Sequence, residues 1–152
     1  MKAIQLYLAI LIFSTQTGNA QHQKLKLFID CSNTPCDFNY IRQQIPVTDF
    51  VRDRRESDIH VLITSQRAGN GGEKYDLVFY PQTGPINKND SLYFFTIPNS
   101  SEDEKRKQLV KVIQAGVIPY LAKRGEIDKM NFTFEKQVSS PINKTDKWNN
   151  WV

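Results

Sequence analysis

The fold this sequence predicts is an α+β domain, a mostly antiparallel sheet of about five strands with two helices packed on one face. Three observations carry that expectation. Apolar and polar residues alternate in short runs beginning near Leu25, Tyr75 and Leu92, and a β-branched run begins at Ile59; both are strand signatures. Two other stretches place apolar residues at every third or fourth position, one ahead of the middle strands and one after them, which is helical spacing. Glycine, proline and asparagine punctuate the chain between these runs. Helices set apart from a run of strands are the pattern of α+β packing, with the uncovered sheet face partly wet.

Taken in order, Leu25, Leu27 and Ile29 alternate with Lys26, Phe28 and Asp30, predicting a strand from Lys24 to Cys31. After the turn Ser32-Asn33-Thr34-Pro35, Asp37 can cap a helix striped by Phe38, Ile41 and Ile45, which Pro46 stops. A short strand over Val47 to Arg52 precedes the charged turn Asp53 to Ser57. Ile59 to Thr64 is the most β-prone run, and Ala68-Gly69-Asn70-Gly71-Gly72 is the tip of a hairpin that returns along Tyr75 to Tyr80. Leu92 to Ile97 completes a three-stranded meander.

The pattern Ser101-x-x-Glu104 is a capping box, and Leu109, Val112, Ile113, Gly116, Val117 and Tyr120 continue a long second helix. Pro119 removes the bond to the carbonyl of Ala115, so a kink or early end near Gly116, or a break at Ile118, is expected, with Gly125 as the stop beyond. Met130, Phe132 and Phe134 alternate as one more strand, followed by a polar segment from Gln137.

Met1 to Ala20 reads as a secretory leader. Lys2 supplies the positive start, Ile4 to Phe13 is nearly all apolar, and Gly18-Asn19-Ala20 suits a peptidase that cuts after Ala20. The apolar run is about half of the ~20 residues a membrane-spanning helix needs. The expected organisation is a leader over 1–20, an exported α+β domain over 21–136, and a linker with a Trp-rich segment over 137–152. The formal charge of +4 becomes +3 when Lys2 is removed, from twenty Lys and Arg against sixteen Asp and Glu. Arg52, Arg54 and Arg55 alternate with Asp53, Glu56 and Asp58, a self-compensating pattern that does not suit a nucleic-acid surface.

The chain's two cysteines, Cys31 and Cys36, are most simply a disulfide in an exported protein, with free thiols, redox or metal chemistry as the alternatives. Their spacing is too long for a C-x-x-C redox pair. His60 is the one histidine within a predicted element and shares its strand face with Asp58 and Leu62. It reads as a structural or surface histidine rather than a base, since no local nucleophile accompanies it. Asp30, Asp37, Asp49 and Asp53 are candidate acids for which capping and ion pairing suffice. The Gly69 to Gly72 loop lacks the following helix a phosphate cradle needs. No catalytic residue, cofactor site or metal site is therefore assigned. Asn89, Asn99, Asn131 and Asn143 each begin an N-x-S/T pattern, which matters only in a eukaryotic secretory route. Trp148 and Trp151 sit within five residues of the end, able to dock as a closing strand or to mark the water boundary of a membrane β-barrel.

Phe28-Ile29-Asp30-Cys31, Cys36 to Arg42, Ile45-Pro46, Phe50 to Arg54 and His60 to Thr64 resemble the N-terminal periplasmic domain of uncharacterised outer-membrane β-barrel proteins of Bacteroidota-type bacteria. The likeness runs from about Lys24 to Lys123, with a more distant, fold-level similarity to the TolB N-terminal domain. It implies a periplasmic or outer-membrane location, a barrel beginning after Trp148 to Val152, and no catalytic residues to carry over. The function expected is a non-enzymatic domain that binds a periplasmic protein or positions its own barrel. A free secreted module that binds a ligand on the uncovered sheet face is the alternative, and a thiol-redox enzyme or a hydrolase is the third class.

Overall fold

The computed structural model describes residues 23–69 and 71–130. The expected leader, the strand residues after Met130 and the Trp-rich segment lie outside them. The elements are β1 (Leu25–Ser32), α1 (Phe38–Gln44), β2 (Thr48–Phe50), β3 (Ile59–Arg67), β4 (Glu73–Pro81), β5 (Asp90–Phe95) and α2 (Glu102–Lys123), with single 3-10 turns at Arg54–Glu56 and Ile127–Lys129. The fold is α+β: one five-stranded sheet ordered β2-β1-β3-β4-β5, with two helices. β1 runs parallel to both β2 and β3, while β3, β4 and β5 form the expected antiparallel meander. The parallel pairs follow from α1, because a crossover of a dozen or more residues lets the chain return beside β1 in the same direction.

The period of two separates the sheet faces. Leu25, Leu27 and Ile29 of β1, Ile59, Val61 and Ile63 of β3, Tyr75, Leu77 and Phe79 of β4, and Phe94 of β5 are buried in one cluster with Ile41 and Ile45. α2 adds Leu109, Val110, Ile113, Val117, Tyr120 and Leu121 to it. At Gly116 the backbone of α2 lies against the Phe79 ring closely enough that a methyl group there would overlap three ring carbons. Both helices therefore cover the same side of the sheet.

Local chemistry sets the helix ends. Asp37 caps α1 by accepting from the Tyr40 amide at 3.0 Å, and Ser101 and Glu104 complete the capping box of α2. Gly125, at φ +70°, ends α2, and the Glu126 amide donates back to the Leu121 carbonyl at 2.8 Å. The expected early end near Gly116 or Ile118 does not occur, since α2 continues through Pro119 to Lys123. Ala115 and Pro119 are both exposed, so the carbonyl that loses its donor faces water, while buried Val117, Tyr120 and Leu121 hold the last turns down. β3 and β4 also run longer than expected. Ser65, Gln66 and Arg67 pair with Tyr75, Lys74 and Glu73, extending the hairpin into solvent where apolar alternation has stopped.

Two carboxylates tie the sheet to the C-terminal end of α2. Asp58 accepts from the Lys26 amide at 2.9 Å, from the Thr83 hydroxyl at 2.6 Å and from Arg124 at 3.3 Å. Glu126, fully buried, accepts from Arg124 at 2.9 Å and Lys129 at 3.2 Å. Burial pushes the Glu126 carboxyl up, but the bonds from Arg124 and Lys129 outweigh it and hold it below its ordinary value.

Candidate functional site

The sheet face opposite the helices gathers side chains that the strand registers place in rows. Phe28, His60 and Tyr80 form the first row across β1, β3 and β4, and Asp30, Leu62, Val78 and Ser91 the second. Thr64, Asp76 and Tyr93 form the third, and Gln66, Lys74 and Phe95 the fourth. Phe28, Leu62, Val78 and Tyr80 are partly buried. Tyr93 and Phe95 on the edge strand are 64% and 50% exposed and meet edge to face at 5.8 Å. Lys74 lies over the Tyr93 ring at 5.3 Å and pairs with Asp76 at 2.6 Å.

His60 is the unusual member of this face. It is 5% exposed, held between the Phe28 ring at 5.3 Å and the Tyr80 ring at 5.4 Å. Its Nε2 is 3.5 Å from Asp30 Oδ2, yet neither ring nitrogen makes a hydrogen bond. An unsatisfied buried polar atom costs about 1–3 kcal/mol, and the Asp30 carboxylate at 3.5 Å is the acidic group placed to offset it. Burial and then the Arg54 guanidinium push its pKa below the ordinary 6.5, against an opposing pull from Asp30.

The other candidates are dispersed. Asp37 and Asp53 are caps, the second accepting from the Arg55 amide at 2.8 Å. Asp49 is exposed on the short edge strand β2. Cys31 and Cys36 form a disulfide with Cα atoms 6.3 Å apart, closing the turn that leaves β1. Asn33, at φ +55°, turns that loop and accepts from the Ser65 amide at 3.1 Å. Beside it, on the helix side, is a cleft of about 310 Å³ whose lining includes Cys36, Asp37, Tyr75, Lys105 and Arg106. Its charges are internally matched: Lys105 pairs with Glu102 at 2.9 Å and Glu73 at 3.2 Å, and Arg106 with Asp103 at 2.6 Å and Asp37 at 3.4 Å. Among the described residues no three His, Cys, Asp or Glu side chains are grouped to hold a metal ion, and no helix is long and apolar enough to cross a membrane.

Sequence reasoning placed His60 on the strand side opposite Ile59 and Val61, but it did not find Asp30 beside it or the flanking rings. Those neighbours come from adjacent strands, and the parallel register of β1 against β3 was the missing information. Fold and site together define a disulfide-closed α+β domain with a one-sided sheet and an aromatic, histidine-bearing open face. No protein-family model, curated protein or solved structure matches the chain.

Proposed function

We propose that this chain provides a non-enzymatic, periplasmic interaction domain that binds a protein partner, or positions its own β-barrel, at the outer membrane. The observation that carries the reading is the open sheet face. It presents Phe28 and Tyr80 on either side of the unsatisfied His60, and exposed Tyr93 and Phe95 further along the same face on β5. A face that retains exposed aromatics and an orphaned imidazole is less stable alone than covered, and a docked surface would bury the first and satisfy the second. The Cys31–Cys36 bond supports an exported domain, because such bonds persist in oxidising compartments. In envelope fractions of the producing cell, the chain should travel with outer-membrane proteins, and a Phe28→Ser/Tyr80→Ser variant that still folds should release it into the soluble periplasm. Recovery in the cytosol, or unchanged fractionation of that variant, would contradict the reading.

A second reading is a secreted module that binds a glycan on the same face. The exposed Tyr93 and Phe95 rings with Lys74, Asp76 and Gln66 alongside support it, since sugar rings stack on aromatic faces while polar neighbours accept and donate to their hydroxyls. Quenching of tyrosine fluorescence by peptidoglycan fragments, abolished in Tyr93→Ala, would favour it over the protein-binding reading.

A further inference from the structure

Beyond that reading, we infer that β5 pairs with β5 of a second copy of this chain, joining two five-stranded sheets edge to edge. The two edges of the sheet are unlike. β2 is three residues long, carries Asp49, and runs into Arg52-Asp53-Arg54-Arg55-Glu56, which are the charges and shortness that keep an edge from pairing. β5 carries its one charge, Asp90, at its first residue, where the carboxylate accepts from the Ser91 amide, and none beyond it. From Ser91 to Ile97 it reads Ser-Leu-Tyr-Phe-Phe-Thr-Ile, with neither charge nor proline, and Tyr93, Phe95 and Ile97 are 64%, 50% and 67% exposed. Uncharged aromatic strands of this length associate when left bare.

The backbone identifies the occupant. The Thr96 amide donates to the Glu73 carbonyl at 2.8 Å, and with the β4–β5 register this directs the amides and carbonyls of Phe94 and Leu92 toward β4 and those of Tyr93 and Phe95 outward. The flanking outward amides are already taken: Ser91 donates to Asp90 Oδ1 at 2.8 Å, and Ile97 to Ser100 Oγ at 3.2 Å. What remains is one donor and one acceptor on Tyr93 and the same on Phe95, placed symmetrically about Phe94. A two-fold contact requires that self-complementary set. An antiparallel partner centred on Phe94 puts Tyr93 opposite Phe95 of the second copy and Phe95 opposite its Tyr93. Four backbone hydrogen bonds form, with no outward donor of Tyr93 or Phe95 left over. A one-step slip either way would call on Ser91 or Ile97, whose amides are occupied. The same register lays Tyr93 and Phe95 of the two copies side by side as aromatic cross-strand pairs.

One strand pair buries less than a standard interface, so the association is weak and concentration-dependent. Sedimentation velocity on the chain from Gln21 onward should show dimer rising between roughly 10 µM and roughly 1 mM. Phe95→Pro removes one outward donor from a residue whose amide does not serve the β4 ladder, a position where an edge strand tolerates proline. It should keep the circular dichroism of the parent and remain monomeric throughout. If that variant does not fold, Phe95→Lys serves instead. Mixing Tyr93→Cys protein with Phe95→Cys protein should form the intermolecular disulfide several-fold faster than either alone, because only unlike positions face each other. A parent that stays monomeric overturns the inference, including the case where slow exchange of the Tyr93 and Phe95 amides reveals another strand on this edge. A dimer indifferent to both substitutions at Phe95, or equal cross-linking in all three mixtures, also overturns it.

Discussion

Replacing Gly116 by alanine tests whether α2 seats on the sheet through its contact with Phe79. In an exposed helix the change would stabilise by about 1 kcal/mol, because alanine has the better helix propensity. Here the new methyl would overlap Cζ, Cε1 and Cε2 of the Phe79 ring, each at 2.5 Å or less. That ring is fully buried, with Leu77, Val61 and Val117 also at 0% exposure in the same cluster, so it has no free space to enter. Overpacking of this kind costs about 1–3 kcal/mol and can exceed that where backbone must shift. With three ring carbons overlapped the cost lies in the upper part of that range, about 2–3 kcal/mol, and after the helix gain of about 1 kcal/mol the net expectation is a loss of about 1–2 kcal/mol, or a fall in Tm of roughly 4–15 °C for a domain of this size. Urea unfolding of Gly116→Ala, Phe79→Leu and the double variant should show coupling: the smaller side chain at 79 accommodates the methyl, so the double variant is more stable than the sum of the single losses predicts, by about 1 kcal/mol. A Gly116→Ala protein as stable as the parent, or strict additivity, would refute the packing of α2 on β4.

Other expectations follow from the same geometry. Ser101→Ala, which opens the capping box of α2, should cost about 1 kcal/mol in chemical denaturation, and no loss would mean the helix start is held by packing alone. Replacing Cys31 and Cys36 together by serine frees a closure with a sequence separation of 5; chain entropy predicts a loss of about 2 kcal/mol, read as a lower urea midpoint. The His60 pKa lies below 6.5 in the fold, so the unfolded chain takes up this proton more readily. Stability should therefore fall as pH drops from about 7 through 6.5 and level off below the folded pKa, and His60→Phe should flatten that slope. A parent that gains stability over the same interval would contradict the environment described for His60.

Much of the fold was legible because it is local. The alternation from Leu25 to Ile29, the β-branched run at Ile59 and the Ser101-x-x-Glu104 signature each report on a few neighbouring residues, and each appears where expected. What was not legible depends on distant pairing. The parallel register that sets Asp30 near His60, and the ties from Asp58 to Lys26, Thr83 and Arg124, join residues far apart in the chain. No periodicity announces them. Pro119 shows the converse, a strong local signal for a break overridden by three buried neighbours on the same two turns. The open face itself was anticipated from the helix count, but its composition could be assembled only once strand order was known.

The most direct test of the account is site-specific photo-crosslinking in the intact cell envelope, comparing a photoreactive residue at Tyr80 on the open face with one at Lys111 on the exposed side of α2. The account predicts a discrete adduct from Tyr80 with an outer-membrane β-barrel protein and none from Lys111. Adducts from Lys111 alone, or none from either position in a correctly folded, disulfide-bonded domain, would contradict it.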